Sequence, residues 1–203
     1  MTPELQLDAM AGFAAPLGSE FRCVVADPPW PIDRIANMPR GKVKKPTVVV
    51  PYPCMSVAEI SALPVKQMAD KDAHLYLWTI NRHLESAFGV ARAWGFKPVQ
   101  VLTWAKTPRG ICLGTYTSTT EFVLFCRRGT WTAKRRLDTT WWNWTRKKNH
   151  SQKPEEFQDM VESVSGGPYL ELFARRKRPG WQSWGNEVAS DVILTPNMRS
   201  DCG

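Results

Sequence analysis

Phe21-Arg22-Cys23-Val24-Val25-Ala26 is a short apolar run halted at once by Asp27-Pro28-Pro29-Trp30. Such a run predicts a buried strand whose carboxyl end carries Asp27, because proline lacks the N–H that a sheet ladder needs. Ser56, with Glu59 three residues on, has the form of a capping box and predicts a helix from Ser56 to about Met68. Ala73 to Thr79 predicts a strand, Leu84 to Trp94 a helix closed at Gly95, and Val99 to Trp104 another strand. Glu121 to Cys126 adds a strand, Pro154 to Val164 a helix, and Tyr169 to Ala174 a strand after the Gly166-Gly167 stop. Strands alternating with helices predict an α/β domain with a mostly parallel sheet, helices on both faces and ligands at the carboxyl ends of the strands. The pattern divides the chain into one domain over residues 1–188 and a C-terminal tail over 189–203 that lacks clear periodicity.

Composition narrows the class further. At 203 residues and 43% hydrophobic content the chain can bury a real core. It has no apolar run of about 18 residues and no charged-then-apolar leader, so we expect a cytoplasmic protein with no membrane partner. The five cysteines, Cys23, Cys54, Cys112, Cys126 and Cys202, are odd in number and show no CxxC spacing, which argues for reduced thiols. His74, His83 and His150 are scattered, so no metal is implied. The net charge of +8 makes a polyanion a natural partner.

The Asp27-Pro28-Pro29-Trp30 turn carries the candidate chemistry. A carboxylate and an exposed carbonyl on a rigid turn can accept both hydrogens of a ring amine. That polarises a nitrogen whose lone pair is otherwise delocalised. Two prolines fix the backbone, and Trp30 either offers a flat face to a base extruded from its stack or packs in the core.

These residues have company along the chain. Leu75-Tyr76-Leu77-Trp78, Val101 through Lys106, His150-Ser151-Gln152-Lys153-Pro154, Leu170 through Arg175, Gly180-Trp181 and Trp184-Gly185-Asn186-Glu187 follow the turn in order. Over residues 20–188 the chain resembles the adenine-amine methyltransferases related to the catalytic subunit of the eukaryotic messenger-RNA adenine methyltransferase, a family with bacterial and phage members. The resemblance implies a Rossmann-like domain that uses S-adenosylmethionine, with the catalytic turn preceding the cofactor-binding strand. It implies Asp27, Pro28, Pro29 and Trp30 as catalytic residues, and Asp27, Lys153, Glu171, Phe173, Arg175, Asn186 and Glu187 around the cofactor. Lys153 would approach the methionine carboxylate, Arg175 and Asn186 would contact the ribose and amino-acid parts, and Phe173 would line the pocket with Glu187 nearby. Asp8 is a polar candidate for the cofactor's adenine. A carboxylate at Glu171, on a core strand, needs a partner, for which Lys153 is one candidate.

Between Arg127 and Lys153 nine basic residues face a single acidic one, Asp138, with Trp131, Trp141, Trp142 and Trp144 interleaved. Phosphate contact and base stacking can act together there, or the tryptophans can turn inward to the core. Arg135, Arg136, Lys147 and Lys148 are the candidates from this stretch. Arg40, Lys42, Lys44 and Lys45, in a long basic loop over about residues 32–53, are candidates for the opposite wall of a groove. The expected substrate is DNA more than RNA, with a homodimer or second subunit left open. The competing reading is a catalytically silent member of the fold that binds nucleic acid or supports a partner subunit.

Overall fold

The computed structural model describes residues 21–31, 54–106, 111–112, 115–130, 132–145 and 153–194. Asp8, the 32–53 loop with Arg40, Lys42, Lys44 and Lys45, and the pair Lys147 and Lys148 lie outside the described residues.

Strand β1 spans Phe21–Ala26 and is buried along nearly its whole length, as a strand covered on both faces must be. Ser56 then caps helix α1, Val57–Ala62: its hydroxyl accepts the Glu59 N–H while its own N–H donates to the Glu59 carboxylate at 2.7 Å. The helix predicted to run to Met68 is two pieces. Leu63 precedes Pro64 and takes an extended conformation (ψ 139°), the backbone region to which a following proline confines its neighbour. Helix α2, Val65–Met68, restarts beyond the break.

Strand β2 spans Ala69–Thr79, helix α3 Leu84–Ala93 and strand β3 Lys97–Ala105. Gly95 closes α3 at φ +80°, a conformation that favours glycine. Two short strands, β4 (Ile111–Cys112) and β5 (Thr117–Ser118), pair with each other. Strand β6 spans Thr120–Arg128, β7 Trp141–Trp142, helix α4 Glu155–Val164, β8 Tyr169–Leu172 and β9 Trp181–Trp184.

Seven strands form one sheet in the order β7-β3-β6-β2-β1-β8-β9. The pairs β1–β2, β1–β8, β8–β9 and β3–β7 are parallel, while β6 runs antiparallel to both β2 and β3. The fold is thus the expected α/β domain with a mostly parallel sheet, with β6 reversed within it. Alternate residues of β1 and β2 feed two cores. Val24, Ala26, Leu75 and Leu77 pack with α1 and α3, and Cys23, Val25, Tyr76 and Trp78 pack with Phe157 and Val161 of α4.

Beyond residue 188 the described chain still touches the domain. Val192 is 1% exposed in the first core, and Asp191 accepts the Ser183 N–H at 2.8 Å and pairs with Lys177. Among the described residues no helix is long and apolar enough to cross a membrane.

Candidate active site

Strand β1 has β2 on one side and β8 on the other, so chain connections leave it in opposite directions and a crevice opens at its carboxyl end. Asp27 stands there, with Ala26 paired to Leu77 and Leu172. The prolines behave as rigid supports. Pro28 accepts the Trp30 N–H at 2.9 Å and Pro29 accepts the Met55 N–H at 2.9 Å, so the turn is fixed to itself and to the segment entering α1. A carbonyl oxygen has two lone pairs, of which the Trp30 N–H takes one at Pro28.

Trp30 packs in the core, one of the two roles its sequence left open. It is 7% exposed, its indole N–H donates to the Trp78 carbonyl at 2.9 Å, and His83 stacks on it with centroids 5.6 Å apart and planes 12° off parallel. His83 Nε2 in turn donates to the Pro31 carbonyl at 2.7 Å. A carbonyl only accepts, so the proton sits on Nε2. Trp30 therefore anchors the turn to the end of β2 instead of presenting an open face to a base.

Lys153 corrects one expectation. It is not the partner of Glu171: its ammonium lies 2.9 Å from Asp27 Oδ2 and 3.2 Å from Glu121 Oε2, and 5.0 Å from the Trp78 ring. Glu121 also meets Lys106 at 2.6 Å, which makes a row of alternating charge, Asp27, Lys153, Glu121, Lys106. Burial opposes the charge on Lys153, but Asp27 and Glu121 raise its pKa well above the ordinary lysine value. Burial likewise disfavours the Glu121 anion, yet Lys153 and Lys106 hold that carboxyl well below its usual range. Glu121 went unrecognised in the sequence, where it reads as an ordinary first residue of a strand. Only the reversed direction of β6 sets it at the catalytic edge.

Glu171 takes Gln158 as its partner, whose side-chain N–H donates to Oε2 at 2.7 Å. Gln158 in turn accepts from Arg176 at 3.0 Å. Burial dominates, and the Glu171 carboxyl is pushed up to about 7 despite the Gln158 hydrogen bond and the Arg176 charge; Asp27 adds to the rise.

A pocket opens beside the turn, lined by Asp27, Pro29, Met55, Phe173, Arg175 and Gly185 among others, with the exposed Asn186 and Glu187 at its rim. Arg175 lies 3.5 Å from Glu187. Phe173 ends β8 early, at φ +62°, a region costly for a bulky side chain, and meets Trp184 edge-on at 5.3 Å. Gly185 is required: a Cβ there would sit 2.2 Å from the Ala174 carbonyl oxygen and 2.7 Å from the Ala174 nitrogen. The structure thus gathers Asp27, Phe173, Arg175, Asn186 and Glu187 at one pocket, with Lys153 and Glu171 outside its lining.

Arg135 and Arg136 are not near this pocket. Six residue steps along β6 separate Glu121 from Arg127, about 20 Å at the strand rise, and Arg127 pairs with Lys97 at the far end of the sheet. Lys134 is bound to the carboxyl end of α4 at that same end, through Val164 and Glu162 carbonyls. The two arginines that follow it are exposed there. Trp144 turns inward to the second core and stacks with Trp142, whereas Trp141 is 58% exposed.

A carboxylate turn and an adjoining pocket at the switch point of a mostly parallel sheet define an α/β protein of the doubly wound, small-ligand-binding class. The chain belongs to the MT-A70 family, whose profile matches residues 21–187. It is similar to the type II methyltransferase M.MunI of a Mycoplasma species, 26% identical over 194 residues that cover 88% of this chain and 82% of that protein. It is also similar to the N(6)-adenine-specific methyltransferase METTL4 of Mus musculus, 28% identical over 84% of this chain and 38% of the relative. The N(6)-adenosine-methyltransferase catalytic subunit METTL3 of Homo sapiens is 24% identical over 88% of this chain and 30% of its own length.

Proposed function

We propose that this protein transfers a methyl group from S-adenosylmethionine to the exocyclic amine of adenine in a polynucleotide. The observation that carries this reading is Asp27 in the wall of the pocket, on a turn held rigid by Pro28, Pro29, Trp30 and His83. The adenine amine is a poor nucleophile, and hydrogen bonds from its two N–H groups to the Asp27 carboxylate and the Pro28 carbonyl favour a pyramidal nitrogen with its lone pair free. Lys153 grips Asp27 Oδ2, which fixes the carboxylate's orientation and leaves Oδ1 to accept. The methylated nitrogen is cationic and acidic, so Asp27 can receive its proton without being a strong base.

The pocket residues fit the cofactor. Met55, Phe173 and Trp184 give apolar walls for a purine and thioether, Arg175 offers a cation to a carboxylate, and Asn186 and Glu187 offer polar groups to a ribose. Glycine at position 185 keeps that wall open. When bound, S-adenosylmethionine supplies the methyl as an electrophilic sulfonium substituent. Enclosure beside the turn contributes mainly positioning.

We assign DNA as the polymer. The chain spans most of the relative named a type II methyltransferase, but well under half the length of those named for adenine or adenosine. The test is labelled methyl transfer to matched single- and double-stranded DNA and RNA, read by nucleoside mass spectrometry. N6-methyladenine appearing first in DNA supports the reading. Product only in RNA overturns the polymer, and a label on no nucleic acid overturns the activity.

A further inference from the structure

We propose that the end of the sheet opposite the catalytic turn is a second phosphate-binding surface, which holds polynucleotide remote from the target base. The inference rests on the polynucleotide reading above and extends it to a surface some 20 Å away.

Strand β6 runs against both of its neighbours. It delivers Glu121 to the catalytic edge and Arg127 to the far one, where Arg127 stands opposite Lys97 at the start of β3. Lys71, near the start of β2, and Arg92, in the last turn of α3, reach the same end. Arg135 and Arg136 join them because Lys134 is tied to the end of α4. All six of these cations are exposed.

The acidic residues at that end are largely committed to local structure. Asp70 accepts from Arg22 Nε at 3.1 Å and from the Asp72 N–H at 3.0 Å. Asp72 accepts the N–H and hydroxyl of Thr130, at 2.6 and 3.1 Å. Asp138 is the further exposed acid on the segment that follows. At the catalytic end the balance is different: Lys153, Lys106, Arg175 and Arg176 each meet a carboxylate. The far end thus carries six exposed cations beside its own ion pairs, Arg22 with Asp70 and Arg178 with Glu162 and Asp159, whereas the cations named near Asp27 each sit against a carboxylate.

The chemistry of the surface favours a nucleic-acid backbone over a protein. Four of the six cations are arginines, whose planar fork matches phosphate oxygens. A protein interface needs an apolar centre. Of the exposed large hydrophobics, Ile80 follows the carboxyl end of β2 and Trp141 pairs beside Thr103, away from this surface, and Val99, two residues from Lys97, is a single apolar side chain beside it and no apolar centre. A span of about 20 Å corresponds to roughly six base-pair steps. A polynucleotide must therefore run well beyond the target base, or fold back, to touch both ends.

The experiment compares a six-nucleotide and a thirty-base-pair substrate, with the parent protein, Arg135→Glu/Arg136→Glu and, separately, Lys71→Glu/Lys97→Glu. The expected result is a KM for the long substrate raised about tenfold in each variant, with kcat and the short-substrate parameters unchanged. The salt dependence of long-substrate binding should weaken by a slope of roughly two for each pair of charges removed. Fluorescence anisotropy of the labelled duplex without methyl donor gives the same comparison, so this inference can stand or fall even if no methyl transfer occurs. An unchanged long-substrate affinity in both variants overturns it, as does an equal weakening for short and long substrates. Displacement of the duplex by a polyglutamate peptide at matched charge concentration also overturns it, in favour of an acidic protein partner.

Discussion

Replacing Glu171 with glutamine should stabilise the protein at pH 8 and leave it unchanged near pH 4. The carboxyl is pushed up to about 7 by burial, against an ordinary value of 4.5. Between those values the unfolded chain has released this proton and the folded one has kept it. Folding stability therefore falls as pH rises through the window, by about 1.4 kcal/mol per unit, and the loss is complete above the folded value. Over the whole window the loss is about 3 kcal/mol. Glutamine removes the titration and keeps the shape, and its carbonyl can still accept the Gln158 N–H seen at 2.7 Å. A gain of about 3 kcal/mol in a chain of this size raises Tm by roughly 6 to 12 °C at pH 8. The assay is calorimetric unfolding of parent and variant at half-unit steps from pH 4 to 8. A Tm difference that does not grow with pH would mean that Glu171 does not keep its proton in the folded chain, since a packing effect alone would not follow the titration.

Lys153→Met leaves Asp27 and Glu121 without the ammonium between them; removing one member of such a cluster costs about 3–5 kcal/mol, and methyl transfer should fall by at least about 100-fold in a labelled-methyl assay. Gly185→Ala drives a methyl group into the Ala174 backbone and should abolish S-adenosylmethionine binding in calorimetry, whereas Gly180→Ala, at φ +79° with nothing within 4 Å, should cost only about 1 kcal/mol and leave binding intact. His83→Ala removes the stack on Trp30 and the bond to Pro31, so kcat should drop about tenfold or more with cofactor Kd unchanged; His83→Phe, which keeps the stack alone, should fall between.

The strand ending at Asp27 was legible because proline is an unambiguous stop, and the start of α1 because the Ser56–Glu59 box is a local device. The break at Leu63-Pro64 was equally local and was overlooked inside an apolar pattern. Strand direction is not local. Nothing in Thr120–Arg128 says that β6 runs backwards, and that one fact decides that Lys153 pairs with Glu121 and Asp27 instead of Glu171. It also explains why Arg135 and Lys153, close in sequence, lie at opposite ends of the sheet, with α4 leading back down from the catalytic edge. The strands β7 and β9 hold two and four residues, too few to show a period, and take shape from their neighbours.

In the proposed reaction Asp27 polarises the amine to be methylated. Single-turnover methyl transfer with Asp27→Asn, alongside calorimetry with S-adenosylmethionine and anisotropy with the oligonucleotide, tests it most directly. Loss of the rate by about 100-fold or more with both binding steps retained is the predicted result. A variant that binds both partners and transfers methyl at the parent rate would contradict the account.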